Sequence, residues 1–71
     1  MTDQGRLQDI TNTMSAIMVH ERMEKDSLDL RFELAMKLRL AWEQAMPTIC
    51  IVNALMKAVN ANIARMNSQY E

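Results

Sequence analysis

Between Leu28 and Met46 the chain alternates: Leu28, Leu30, Phe32, Leu34, Met36, Leu38, Leu40 and Trp42 are apolar, and Asp29, Arg31, Glu33, Lys37 and Arg39 fall between them. Read by twos, this is the spacing of a half-buried strand. The residue types point the other way. The stretch has no Val, Ile or Thr and is built mostly from Leu, Met, Ala, Glu, Lys, Arg and Gln, whose side chains lose little rotamer freedom in a helix. A helix over 28–46 is therefore predicted. On it the apolar residues sort into a broad stripe of Leu30, Leu34, Leu38, Ala41, Trp42 and Ala45 and a narrow one of Phe32, Met36 and Leu40. Two apolar stripes on one helix call for two partners.

Upstream, Leu7, Ile10, Met14 and Ile17 are spaced by three, four and three, which predicts a helix over 6–24 behind a frayed 1–5. Thr2 or Asp3 can cap its start. The cluster Thr11, Asn12, Thr13 weakens it locally, because these side chains compete for backbone hydrogen bonds. The charged run HERMEKDS, residues 20–27, breaks the seam, and Asp26 or Ser27 is placed to cap the next helix, with Asp29 in its first turn. A reversal near 25–27 would lay the two helices antiparallel as a hairpin.

Pro47 removes an amide and biases Met46 away from helical geometry. Residues 43–48 hold no Gly, Asn, Asp or Ser to build a turn. The three-four spacing also continues through the proline, along Ala35, Leu38, Trp42, Ala45, Ile49, Val52, Met56, Val59, Ile63 and Met66. A bend is therefore favoured over a full reversal. The expected fold is all-α, a helical hairpin or three-helix arrangement whose long C-terminal helix is kinked by the proline, with the segment 48–68 bent at or restarted after Pro47. A continuous arm from Leu28 to Met66 would span roughly 58 Å, more than the first helix can cover. Self-association along Leu38, Trp42, Ile49, Val52, Met56, Val59, Ile63 and Met66 follows as the expectation, with Asn53, Asn60 and Asn67 recurring every seven residues beside that seam.

Size sharpens this picture. A chain of 71 residues makes a single small domain that buries only about 60% of its unfolded surface, and association is a common remedy. One cysteine, Cys50, allows no intrachain disulfide and fits a reducing cytoplasm. The opening MTDQGRLQDI lacks the basic-then-apolar order of a secretory signal. The most apolar stretch, 45–64, is interrupted by Pro47, Asn53, Lys57, Asn60 and Asn62, which argues against a membrane span. A net charge of −1 provides no general attraction for nucleic acid.

The inventory for chemistry is thin. No glycine-rich phosphate loop or catalytic pairing stands out, and no cofactor is implied. His20 and Glu24 lie four apart with Glu21 between them, but the second His of the HExxH zinc motif is missing. Cys50 stands among Ile49, Ile51 and Val52, the surroundings of a small buried hydrophobe. Met accounts for eight of the 71 residues; at seam positions it fills core, whereas Met36, with Phe32 and Leu40, lies between Asp29, Glu33, Arg39 and Glu43 as an apolar patch with a charged rim.

The sequence thus predicts a non-enzymatic protein–protein interaction module that self-associates and binds a partner protein through Phe32, Met36 and Leu40. An adaptor, a small chaperone-like cofactor or an inhibitor would work in this way, by helix-in-groove contact. The alternative is a small nucleic-acid-binding regulator using Arg31, Lys37 and Arg39 with Arg22 and Lys25. The interleaved Asp29 and Glu33 weaken that alternative.

Overall fold

A computed structural model describes residues 2–69 and holds three helices among them: α1 (Asp3–Arg22), α2 (Leu28–Glu43) and α3 (Thr48–Gln69). The chain is all-α. Helix α1 begins inside the segment expected to fray, because Thr2 Oγ1 accepts a hydrogen bond from the Gly5 amide at 3.0 Å and so satisfies one open donor of the first turn. At the start of α2 the side chain that bonds is Asp26, whose Oδ1 accepts from the Leu28 amide at 3.0 Å, while Ser27 is buried and makes no side-chain cap.

Both reversals are built the same way, and neither uses glycine. After α1, Glu24 adopts φ 58°; its amide donates to the Glu21 carbonyl and the Lys25 amide donates to that of His20. After α2, Ala45 adopts φ 57°; its amide donates to the Trp42 carbonyl and the Met46 amide donates to that of Ala41. This is the Schellman pattern, in which a left-handed residue turns the last carbonyls inward. Its usual apolar clasp is present at the second corner, where Met46 and Ala41 are both buried in the core.

The kinked continuous helix expected from the heptad is therefore corrected. Helix α2 ends at Glu43, three residues short of the predicted 46, and α3 restarts at Thr48. Left-handed Ala45 makes the break, and Pro47 becomes the residue before the new helix, its carbonyl accepting from the Cys50 amide at 3.0 Å. Missing turn residues did not prevent reversal, since alanine can occupy the left-handed position at a cost of roughly 1–2 kcal/mol.

Helix α1 lies in the middle. Asp9 meets Lys37 and Glu21 meets Arg31, so α2 runs antiparallel to α1; Thr11 meets Ala54 and Ser15 meets Asn62, so α3 runs parallel to it. Helices α2 and α3 share much less contact with each other than either shares with α1. The core sits where all three converge: Ile10, Ala41, Met46, Ile51 and Ala54, with Leu7, Leu34, Leu38, Cys50 and Leu55 packed around them. Farther along, Thr13, Ile17, Ala58 and Asn62 are buried.

Candidate functional site

The arrangement leaves an apolar stripe of α3 largely uncovered. Its inner side offers Ile51, Ala54, Ala58 and Asn62 to α1, while Ile49, Val52, Met56, Ile63 and Met66 point to solvent and Val59 is half-buried. A helix ordinarily buries its apolar residues, and here a second apolar stripe is left outward. The inner side combines Ile51 and Leu55 with small residues. Ala54, Ala58 and Asn62 follow at intervals of four and let α1 come close enough for the Thr11 hydroxyl to reach the Ala54 carbonyl at 2.9 Å and for Asn62 Nδ2 to donate to Ser15 Oγ at 3.1 Å and to the Ala58 carbonyl at 2.8 Å.

Helix α2 repeats the theme. Leu30, Leu34, Lys37, Leu38 and Ala41 turn toward the rest of the chain, whereas Phe32 and Met36 are 65% and 67% exposed and Leu40 is also open. The predicted narrow stripe is thus on the surface, with Leu40 bordering Arg6 and Asp9 of α1. Of the eight residues expected to self-associate, Leu38 is half-buried against the core and Val59 is half-buried, while the other six are exposed, Trp42 at 68%. The corner at 44–47 divides that seam between two helices.

The total surface is large for the mass. The chain exposes 5291 Å², against about 4,500 Å² expected of a compact monomer of its mass. Its radius of gyration is 12.9 Å, against about 11 Å expected. The surplus follows from an elongated shape, 41 × 23 × 17 Å.

Three of the eight basic residues are answered within the chain. Arg31 pairs with Glu21, Arg39 pairs with Glu43 at 3.2 Å, and Lys37 Nζ lies 3.0 Å from Asp9, 3.7 Å from Glu33 and 2.8 Å from the Thr13 hydroxyl. His20 donates from Nδ1 to the Ala16 carbonyl at 2.9 Å, and Glu24 lies beyond the helix end in left-handed geometry, so the HERME residues do not share a helical face. Among the described residues no group of three or more His, Cys, Asp or Glu is gathered as a metal site. Cys50 is a free, half-buried thiol beside Leu7 and Ala54 at the edge of a shallow groove of about 470 Å³ between α1 and α3. No helix of the described residues is long and apolar enough to cross a membrane.

Among known proteins, no family model, curated protein or solved structure matches the chain. Function must be read from these surfaces.

Two features of the interior were not foreseen. The sequence marked Asn62 only as a break in an apolar run, and Lys37 only as a candidate phosphate contact. The alanines four and eight residues before Asn62 were the available signal, since repeated small residues mark close helix approach. For Lys37 the signal was its place between Leu34, Leu38 and Ala41 on the inward face.

Proposed function

We propose that the protein is a non-enzymatic interaction module that self-associates through the outward stripe of α3, extended toward Trp42, and engages a partner protein through Phe32, Met36 and Leu40 on α2. The observation that carries this reading is the stripe along α3 in which Ile49, Val52, Met56, Ile63 and Met66 are all exposed. Burying such a stripe is worth about 25 cal/mol per Å² of apolar surface removed from water. Large apolar side chains such as Phe32 and Trp42 would be expected to dominate the contact energy. Adaptor, chaperone-like cofactor and inhibitor all use this mode, and a cytoplasmic setting suits the free thiol of Cys50. The internal pairing of Arg31, Lys37 and Arg39 weighs against a nucleic-acid regulator, which needs such groups free for phosphates.

Sedimentation equilibrium with reductant present tests the self-association, comparing the wild-type chain with Ile63→Asp. The wild type should sediment as a dimer or larger and the variant as a monomer of unchanged helicity. A wild-type chain that stays monomeric at every concentration overturns the reading.

A further inference from the structure

Resting on that self-association reading, we propose that the occupant of the α3 stripe is α3 of a second copy laid antiparallel, with Ile49 beside Met66 of the second copy, Val52 beside Ile63 and Met56 beside Val59. A second copy fits for two reasons. The stripe has no cover within the chain, since five of its six residues are exposed. The stripe itself, Ile49, Val52, Met56, Val59, Ile63 and Met66, carries no charge, so a two-fold axis through it brings no like charges together.

Direction follows from the two rows that make up the stripe. Ile49, Met56 and Ile63 form one row and Val52, Val59 and Met66 the other. A parallel pair sets each residue against its own copy, putting Val52 on Val52 and Val59 on Val59 in a row where two-stranded parallel coils favour Leu. It would also alternate narrow valine layers with a wide methionine layer. An antiparallel pair crosses the rows, so each valine meets a larger Ile or Met and the layers become more even. Opposed helix dipoles favour the same direction.

The edges of the stripe agree. On one side run the exposed Asn53 and Asn60; on the other, half-buried Leu55 and buried Asn62 are already covered by α1. Antiparallel packing brings like edges together, Asn53 of each copy against Asn60 of the other, and primary amides are mutual donors and acceptors. Parallel packing would turn the asparagine edge of one copy toward the covered edge of the other.

Disulfide trapping tests the direction. One chain carries Cys50→Ser with Ile49→Cys and a second carries Cys50→Ser with Met66→Cys; each is first checked, reduced, for wild-type helicity and mass. Equal amounts are equilibrated in a glutathione redox buffer and the dimers are resolved by mass spectrometry. The antiparallel pair predicts the mixed disulfide far above the half that random pairing gives. Predominant like-with-like disulfides would overturn the antiparallel arrangement and leave self-association standing. Dimers by sedimentation without any trapped species would place the contact elsewhere, and monomers throughout would overturn self-association itself. Val52→Cys with Ile63→Cys repeats the test should the first pair disturb the fold.

Discussion

Asn62 Nδ2 donates to Ser15 Oγ at 3.1 Å from a side chain that is only 1% exposed. The same nitrogen's second proton goes to the Ala58 carbonyl, and among the described residues no donor reaches the buried Oδ1. An unpaired buried acceptor costs about 1–3 kcal/mol. Asn62→Ala, which removes the unpaired oxygen together with the two donated bonds, should therefore cost no more than about 1 kcal/mol. Asn62→Asp, which puts a carboxylate against the Ala58 carbonyl, should cost at least about 2 kcal/mol. Urea denaturation of both variants checks the contrast, and equal losses would count against it.

Ala45 and Glu24 hold left-handed backbone without glycine. Ala45→Gly should stabilise the chain by about 1 kcal/mol, a rise in Tm of about 4–8 °C in a domain of this size. Glu24→Gly should act in the same direction. A fall in Tm on Ala45→Gly would mean that the corner is held in some other geometry.

Lys37 and Arg39 are two residues apart and differ in what they hold. Lys37 Nζ is shared by Asp9, Glu33 and the buried Thr13 hydroxyl, whereas Arg39 meets only Glu43 on an open surface. Lys37→Ala should cost about 1–2 kcal/mol, since it leaves the Thr13 hydroxyl and Asp9 carboxylate without their shared donor. Arg39→Ala should change stability by less than about 0.5 kcal/mol. Thermal melts of the two variants, side by side, would expose the prediction if the losses matched.

Phe32→Asp should keep the helical circular dichroism signal and shift stability by no more than about 0.5 kcal/mol, because the ring is largely in solvent. Ile10→Ala, at the convergence of the three helices, should cost about 2–5 kcal/mol. A collapse of helicity on Phe32→Asp would identify the ring as part of a core and remove it from the surface stripe.

Much of the architecture was legible because it rests on periodicity. The helix type of the alternating stretch, the seam through Leu7, Ile10, Met14 and Ile17, and the hairpin turn all follow from residue spacing and side-chain shape. The second reversal was not legible. The heptad runs through Pro47 in phase, and the turn depends on Ala45 accepting a conformation that alanine disfavours, which tertiary packing of Met46 on Ala41 can offset but no local rule signals. Asn62 and Lys37 were hidden for a related reason. Their partners lie on α1, far away in sequence, and a polar residue looks solvated until its neighbour is known. The outward stripes on α2 and α3 were legible as stripes; which of them would face water depended on where α1 came to lie.

The central place of α1 also orders events in time. The ion pair of Glu21 with Arg31 links residues 10 apart, whereas the hydrogen bonds that seat α3, Thr11 to Ala54 and Ser15 to Asn62, link residues 43 and 47 apart. Loop closure favours the nearer contacts, so the α1–α2 hairpin should form before α3 docks. Until it docks, α3 has both its faces free, and a neighbouring chain can compete with α1 for the same helix.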